Sequence, residues 1–166
     1  MAKQPKTLND LFHDTLKDIY FAEKKFLTAL PKMAKAAQSP DLRKAFNKHL
    51  DETQEHVRRL EKVFSAIDAK PQGKTCDAVL GLLKEGESVM EDYEDSPALD
   101  AGLLAAAQAV EHYEITRYGT LKTWASELDL KGVVELLDAT LEEERMTDAA
   151  LTELAVSAIN TDAEAA

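Results

Sequence analysis

Two glutamates set inside an apolar helical stripe constrain this chain more than any other feature. From Leu99 the stripe runs through Leu103, Ala107, Val110, Glu114, Tyr118 and Leu121 at spacings of three or four residues, the pattern of one helix face turned to a core. Glu114 occupies a core position, and Glu111 lies three residues earlier on nearly the same side. An uncompensated buried carboxylate costs several kcal/mol, so such a group is protonated, paired with a base or bound to a cation. The rest of the chain must supply that compensation.

The other apolar patterns are also helical. A first long helix is expected from Thr7, which can cap it, with the stripe Phe12, Leu16, Ile19, Glu23, Phe26 and Leu30. Pro31 is expected to kink it or end its regular part, although the pattern resumes at Met33 and Ala37. Ser39-Pro40-Asp41 then signals a restart, with Ser as cap and Pro at the first helical position. This second helix is predicted to reach about Ala69, with a seam of Leu42, Phe46, His49, Thr53, His56, Leu60, Val63 and Ile67 flanked by Glu52 and Glu55. The turn-rich AKPQGK segment, 69–74, leads to Thr75 as cap of a short helix from Cys76 to about Tyr93. Its single apolar face suits a helix crossing the outside of a bundle. Ser96-Pro97 opens a third long helix to about Leu128. Asp129 is read as the cap of a fourth, Leu130 to about Ile159, with the seam Val133, Leu137, Thr140, Glu144, Thr147, Leu151 and Leu154. Residues 1–6 and 161–166 have no core pattern and are expected to be frayed tails around one bundle over 7–160.

The two halves repeat. One offset of 91 residues lays Leu8 on Leu99, Phe12 on Leu103, Ile19 on Val110, Leu30 on Leu121, Phe46 on Leu137 and Leu60 on Leu151. Because 91 is a multiple of seven, apolar agreement alone is weak evidence. The same offset also carries Glu23 onto Glu114 and Glu52 onto Glu143, across the turn between the helices. Each half is then a helix hairpin with an acid at mid-length on each arm, and the acids are 29 residues apart in both. Packing the hairpins together converges four carboxylates, for which a pair of divalent cations is the simplest compensation. The expected fold class is all-α: a four-helix bundle with a short extra helix in the crossover between its second and third long helices.

Composition agrees. Six Gly and five Pro in 166 residues favour long helices over a sheet with many turns, and 45% apolar residues can build one sizeable core. A formal charge of −11 argues against nucleic-acid or anionic-membrane binding and leaves cationic partners, metal ions included, compatible. Apolar runs are too short to span a bilayer, no signal-peptide pattern opens the chain, and Cys76 is the single cysteine. A cytoplasmic protein is expected. Phosphate-binding loops and nucleophile elbows are absent from the sequence. Arg58, Arg59 and Lys62 read as one small solvated or salt-bridged cluster on the outer face of the second helix.

Four segments carry a resemblance that covers nearly the whole chain: AEKKF around Glu23, HLDET from His49, VEHYEITRYGTL from Val110 and TLEEERMTD from Thr140. With them the sequence resembles the YciF and YciE stress proteins, a family of the ferritin-like, rubrerythrin-related superfamily. The resemblance implies a ferritin-like bundle, a homodimer and a carboxylate site for two iron ions, with manganese as the alternative. It matches Glu23, Glu52, Glu114 and Glu143 to the four-helix carboxylates, and Glu111 to the additional acid on the third helix of rubrerythrin-like sites. In that scheme Glu52 and Glu143 bridge the metals and Glu23 and Glu114 terminate the site.

The chain departs from the usual di-iron pattern, since the residues three after Glu52 and Glu143 are Glu55 and Met146 rather than histidine. His49 and His56 are within helical reach of Glu52 but have no counterpart in the second half. Glu144 is more central by seam count than Glu143, and both remain candidates. The candidate metal residues are therefore Glu23, His49, Glu52, Glu111, Glu114, Glu143 and Glu144. The tyrosines are read as packing residues. Two functions follow from this: oxidase or peroxidase-like chemistry at a di-iron site in stress protection, or a non-catalytic structural bundle with a degenerate or empty site.

Overall fold

The computed structural model describes residues 5–165, in which every regular element is a helix. Residues 1–4 of the expected N-terminal tail, and Ala166, lie outside the described residues. The helices are α1 (Leu8–Ala36), α2 (Pro40–Ala66), α3 (Asp77–Asp92), α4 (Leu99–Glu127) and α5 (Lys131–Leu154). A π-helical turn over Ala155–Ile159 and a short α6 (Asn160–Glu164) continue α5. The predicted fourth helix thus keeps its extent but changes winding in its last turns. Most of the expected C-terminal tail is helical. Among the described residues no helix is long and apolar enough to cross a membrane.

Two hairpins, α1 with α2 and α4 with α5, pack together through α2 on α5 and α1 on α4, while α3 rests mainly on α4 and lightly on α1. This is the four-helix bundle with a helix-bearing crossover that the sequence predicts. Both ends of α4 lie 91 residues beyond those of α1, and α5 begins 91 residues beyond α2. The repeat is therefore a property of the scaffold as well as of the acids. Phe12, Leu16, Phe46, Leu60, Leu103, Leu121, Leu137 and Leu151 are buried around the bundle axis.

Local signals explain most helix ends. Thr7 and Asp10 form a reciprocal capping box, the Thr7 N–H donating to Asp10 Oδ2 at 2.8 Å, and Ser39 caps α2 with Pro40 in its first turn. Pro31 stays inside α1, which continues past it to Ala36. Three expected caps are corrected. Cys76, Ala98 and Leu130 hold the N-cap positions of α3, α4 and α5, and none makes a side-chain cap bond. Asp129 instead ends α4: its φ is 56°, its N–H donates to the Ser126 carbonyl, and the Leu130 N–H donates to the Ala125 carbonyl. That is the left-handed closure usually made by glycine, and Asp68 makes the same one after α2.

Asp100 breaks an apolar run in the sequence but proves to be a clamp. Buried near the start of α4, it accepts the backbone N–H of Gln38 at 2.8 Å and of Ser39 at 2.6 Å, holding the α1–α2 turn to the second hairpin. Bonds to a charged acceptor are worth about 1.5–3 kcal/mol each, and partners left unpaired add a penalty. Asp100→Ala is expected to lower the unfolding free energy by about 2–4 kcal/mol, read by urea denaturation. A change within 0.5 kcal/mol would contradict the clamp.

Candidate metal centre

At mid-bundle the apolar core gives way to one polar layer. Glu23 on α1, His49 and His56 on α2, Glu111 and Glu114 on α4 and Glu144 on α5 are all buried, and Glu23, Glu114 and Glu144 are fully so. Each sits on the apolar seam of its helix, so the burial follows from helical phase. Donor atoms of Glu23, His56, Glu114 and Glu144 lie within 4.8 Å of one another, and so do those of His49, Glu111, Glu114 and Glu144. Glu114 and Glu144 belong to both groups. The layer is therefore two adjoining donor sets, one ending on Glu23 and His56 and the other on Glu111 and His49.

The distances are close without closing a hydrogen-bond network. His56 Nδ1 is 3.0 Å from Glu144 Oε1 and 3.6 Å from Glu23 Oε1. His49 Nε2 is 3.2 Å from Glu111 Oε1 and 3.9 Å from Glu114 Oε2. Yet both nitrogens of His49, Nδ1 of His56, both oxygens of Glu114 and of Glu144, and one oxygen each of Glu23 and Glu111 have no hydrogen-bond partner among the described residues. Native interiors leave few buried polar atoms unpaired. Nine converging on one spot mark a place shaped for something that accepts lone pairs.

Burial and mutual repulsion govern the protonation of the layer. Burial, with Glu144 and Glu23 close by, pushes Glu114 well above the usual carboxylate range. Burial also raises Glu111, partly countered by His49. Burial alone would lower the histidines, but the acids around them win: His49 is raised to about 9 and His56 to about 11. Without a metal, protons hold the layer together.

Glu52 and Glu143 fall outside both sets. They are equivalent in the two hairpins, but each is one helical step off the buried seam, with side chains 23% and 32% exposed. Each is claimed by a base. Glu52 pairs with Lys48, while Lys48 and His49 hold its carboxyl down to about 2 against the opposing effect of burial. Glu143 takes a forked pair from Arg59, with Nη2 to Oε1 at 2.8 Å, and the guanidinium holds its carboxyl below the ordinary range. Of the two α5 candidates the structure thus brings Glu144 to the layer and turns Glu143 to Arg59. The two acids common to both donor sets are Glu114 and Glu144 rather than Glu52 and Glu143, because a single residue turns a helix by about 100° and Glu52 and Glu143 sit just off the axis.

Three residues gain roles that the sequence did not assign. His56 stands in the first donor set. Its Nε2 is 2.9 Å from Glu143 Oε2 and its Nδ1 faces Glu144 and Glu23, so in the metal-free imidazolium both ring N–H groups point at carboxylates. Tyr118 donates its hydroxyl to Glu23 Oε1, and burial together with the nearby acids raises the phenol well above its usual value, so it keeps that proton. Arg59, read as part of a solvated or salt-bridged cluster on the outer face of α2, is salt-bridged across to α5 and closes the layer beside Glu143. Only the seam positions of His56 and Tyr118 signalled any of this in advance.

The family model described as "Domain of unknown function (DUF892)" matches residues 7–164. Protein YciF of Escherichia coli K12 is 44% identical over 160 residues, 96% of each chain. The crystal structure of the E. coli stress protein YciF superposes with a TM-score of 0.89 at 43% identity, covering 94% of this chain and 99% of that one. YcfI of Rhodopseudomonas palustris, described as a candidate structural protein, gives 0.87 at 42% identity over 92% of this chain and 97% of its own. A Xanthomonas campestris protein at 19% identity and a TM-score of 0.73, over 95% of this chain and 96% of that one, shares the fold.

Proposed function

The chain belongs to the DUF892 family, and we infer that it is a stress-response protein, as its E. coli relative is described, holding two iron ions in its buried polar layer. The single observation that carries this reading is the set of nine buried donor atoms without partners, which converge from four helices. The donor chemistry fits. Four carboxylates, Glu23, Glu111, Glu114 and Glu144, balance two divalent cations in charge, and one imidazole per set with no thiolate suits iron or manganese. Glu114 and Glu144 would be shared, with Glu23 and His56 completing one set and Glu111 and His49 the other. A bound iron pair supplies electrons for reduction of dioxygen or peroxide.

The chain's own residues do the rest. Glu143 fixes the His56 tautomer and is itself held by Arg59, and Tyr118 orients Glu23; such outer partners commonly set metal affinity by 10–100-fold. The surrounding apolar layers exclude water. His49 and His56 hold protons at neutral pH in the metal-free state, and burial shifts Glu111 and Glu114 toward their protonated forms. Loading is expected to release about two protons or more per molecule, measurable by calorimetry in buffers of different ionisation enthalpy. Release of none would contradict the assignment.

Elemental analysis tests the function directly. Protein purified without chelators is expected to carry iron near two per chain, and Glu114→Ala to carry little while keeping its helical circular dichroism. Metal absent from both proteins would leave the purely structural reading, which the description of the R. palustris relative favours.

A further inference from the structure

A groove opens at the surface between α1, α3 and α4, where α3 leans on α4 and stands off α1. It encloses ≈ 230 Å³ over an apolar lining that includes Ala29, Met33, Leu83, Met90 and Val110. A second void of ≈ 20 Å³ has Ala29, Met33, Leu83 and Val110 in common with it and is also walled by His49 and Glu111. The four common residues put the voids side by side, so a narrow apolar throat separates the surface groove from one donor set of the metal centre.

The mouth has a charge of its own. Lys25, Lys32 and Lys84 line the groove in a chain of net charge −11. Lys32 is 3.4 Å from Glu87, which also lines the groove; Lys25 and Lys84 have no carboxylate within ion-pair distance among the described residues, and the Lys25 ammonium lies 5.4 Å from the centroid of the Phe21 ring. Cationic heads beside an apolar floor select an anion with an apolar body. The enclosed volume is below the ~300–1,000 Å³ of sites for drug-sized ligands, so the occupant is small and not a protein segment.

We propose that this groove binds a small apolar carboxylate, of the medium-chain or aromatic kind, with its head at Lys25 and Lys84 and its body along Met33, Leu83 and Met90 toward the His49–Glu111 set. Its standing as a substrate depends on the iron reading. Its binding does not.

Decanoate serves as the probe, titrated into metal-free protein labelled at the methionine methyls. Saturable shifts of Met33 and Met90, with Met146 unmoved as the exposed control, are the expected result. Leu83→Trp, which fills the groove at a half-buried position, should abolish the shifts. The double charge reversal Lys25→Glu with Lys84→Glu should weaken decanoate at least tenfold and leave decanol within twofold. In protein loaded with Mn²⁺, the decanoate chain end should broaden more than its head.

Absence of shifts, indifference to Leu83→Trp in a variant of unchanged circular dichroism, or equal loss of decanoate and decanol would each overturn the groove as a carboxylate site. Mn²⁺ that binds but broadens the head more than the chain end would overturn the proposed orientation. Failure of Mn²⁺ to bind at all, with decanoate still shifting Met33 and Met90, would sink the metal reading and uphold the groove.

Discussion

Glu144→Gln abolishes two-metal binding while Glu143→Gln largely preserves it; this is the first expected result, and it separates two neighbouring acids. Glu144 is fully buried and its oxygens contribute to both donor sets. Replacing it with an amide of the same shape removes the one negative charge that both prospective ions would share. Breaking one side of a buried ionic contact costs about 3–5 kcal/mol, so affinity for Mn²⁺ or Fe²⁺ should fall by roughly 10²- to 10⁴-fold at both positions. Glu143 lies in the outer layer, paired with Arg59 and touching His56 Nε2. Its amide can still accept from His56, and the expected loss is about tenfold or less. Anaerobic titration with Fe²⁺, read as bound metal per chain, distinguishes the two. Equal losses, or a greater loss in Glu143→Gln, would move the shared ligand onto the exposed side of α5.

The second large effect is on stability. Four buried carboxylates brought within a few ångströms repel one another, and in the metal-free protein protons, the two histidines and the Tyr118 hydroxyl relieve them. A ligand that binds only the folded state stabilises it by about 4 kcal/mol at a thousandfold excess over Kd. For a chain of this length each kcal/mol moves the midpoint by about 2–4 °C, so even one tightly held ion should raise Tm by roughly 8–16 °C. Differential scanning calorimetry with and without Mn²⁺ reads this directly.

The pH dependence has a definite sign. The raised acids Glu111 and Glu114 and the raised histidines all favour the protonated folded state. Their stabilisation is fully present below their unfolded values and is lost as pH rises through the folded ones. Metal-free protein should therefore weaken from about pH 5 toward pH 9, and the shift produced by Mn²⁺ should grow over the same range. Ca²⁺ at equal concentration controls for screening of the −11 surface charge. A shift matched by Ca²⁺, and retained in Glu114→Ala, would place the effect on the surface.

Much of the fold was legible because a helix face repeats every three or four residues and a buried face must be apolar. Phe12 to Leu30 on α1 and Leu99 to Leu121 on α4 announce their buried sides without any neighbour being known. Capping was legible where a side chain reaches its own backbone, as at Thr7 and Ser39, and failed at Asp129, where a left-handed φ made the residue an ending and not a beginning. Acids on seams, Glu23, Glu111 and Glu114, stood out as anomalies by themselves.

Periodicity alone thus determined the helices, their order, the twofold repeat and the level at which polar groups enter the core. It could not decide between Glu143 and Glu144, or between Glu52 and its neighbours His49 and His56, because adjacent residues differ by only about 100° of helical rotation and the repeat favours the symmetric acids. The packed bundle decided that choice. Once the four helices set their rotations, His49, His56 and Glu144 faced the axis, and Lys48 and Arg59 drew Glu52 and Glu143 aside. Side-chain reach across helices, unlike phase along one, exists only after the helices have met.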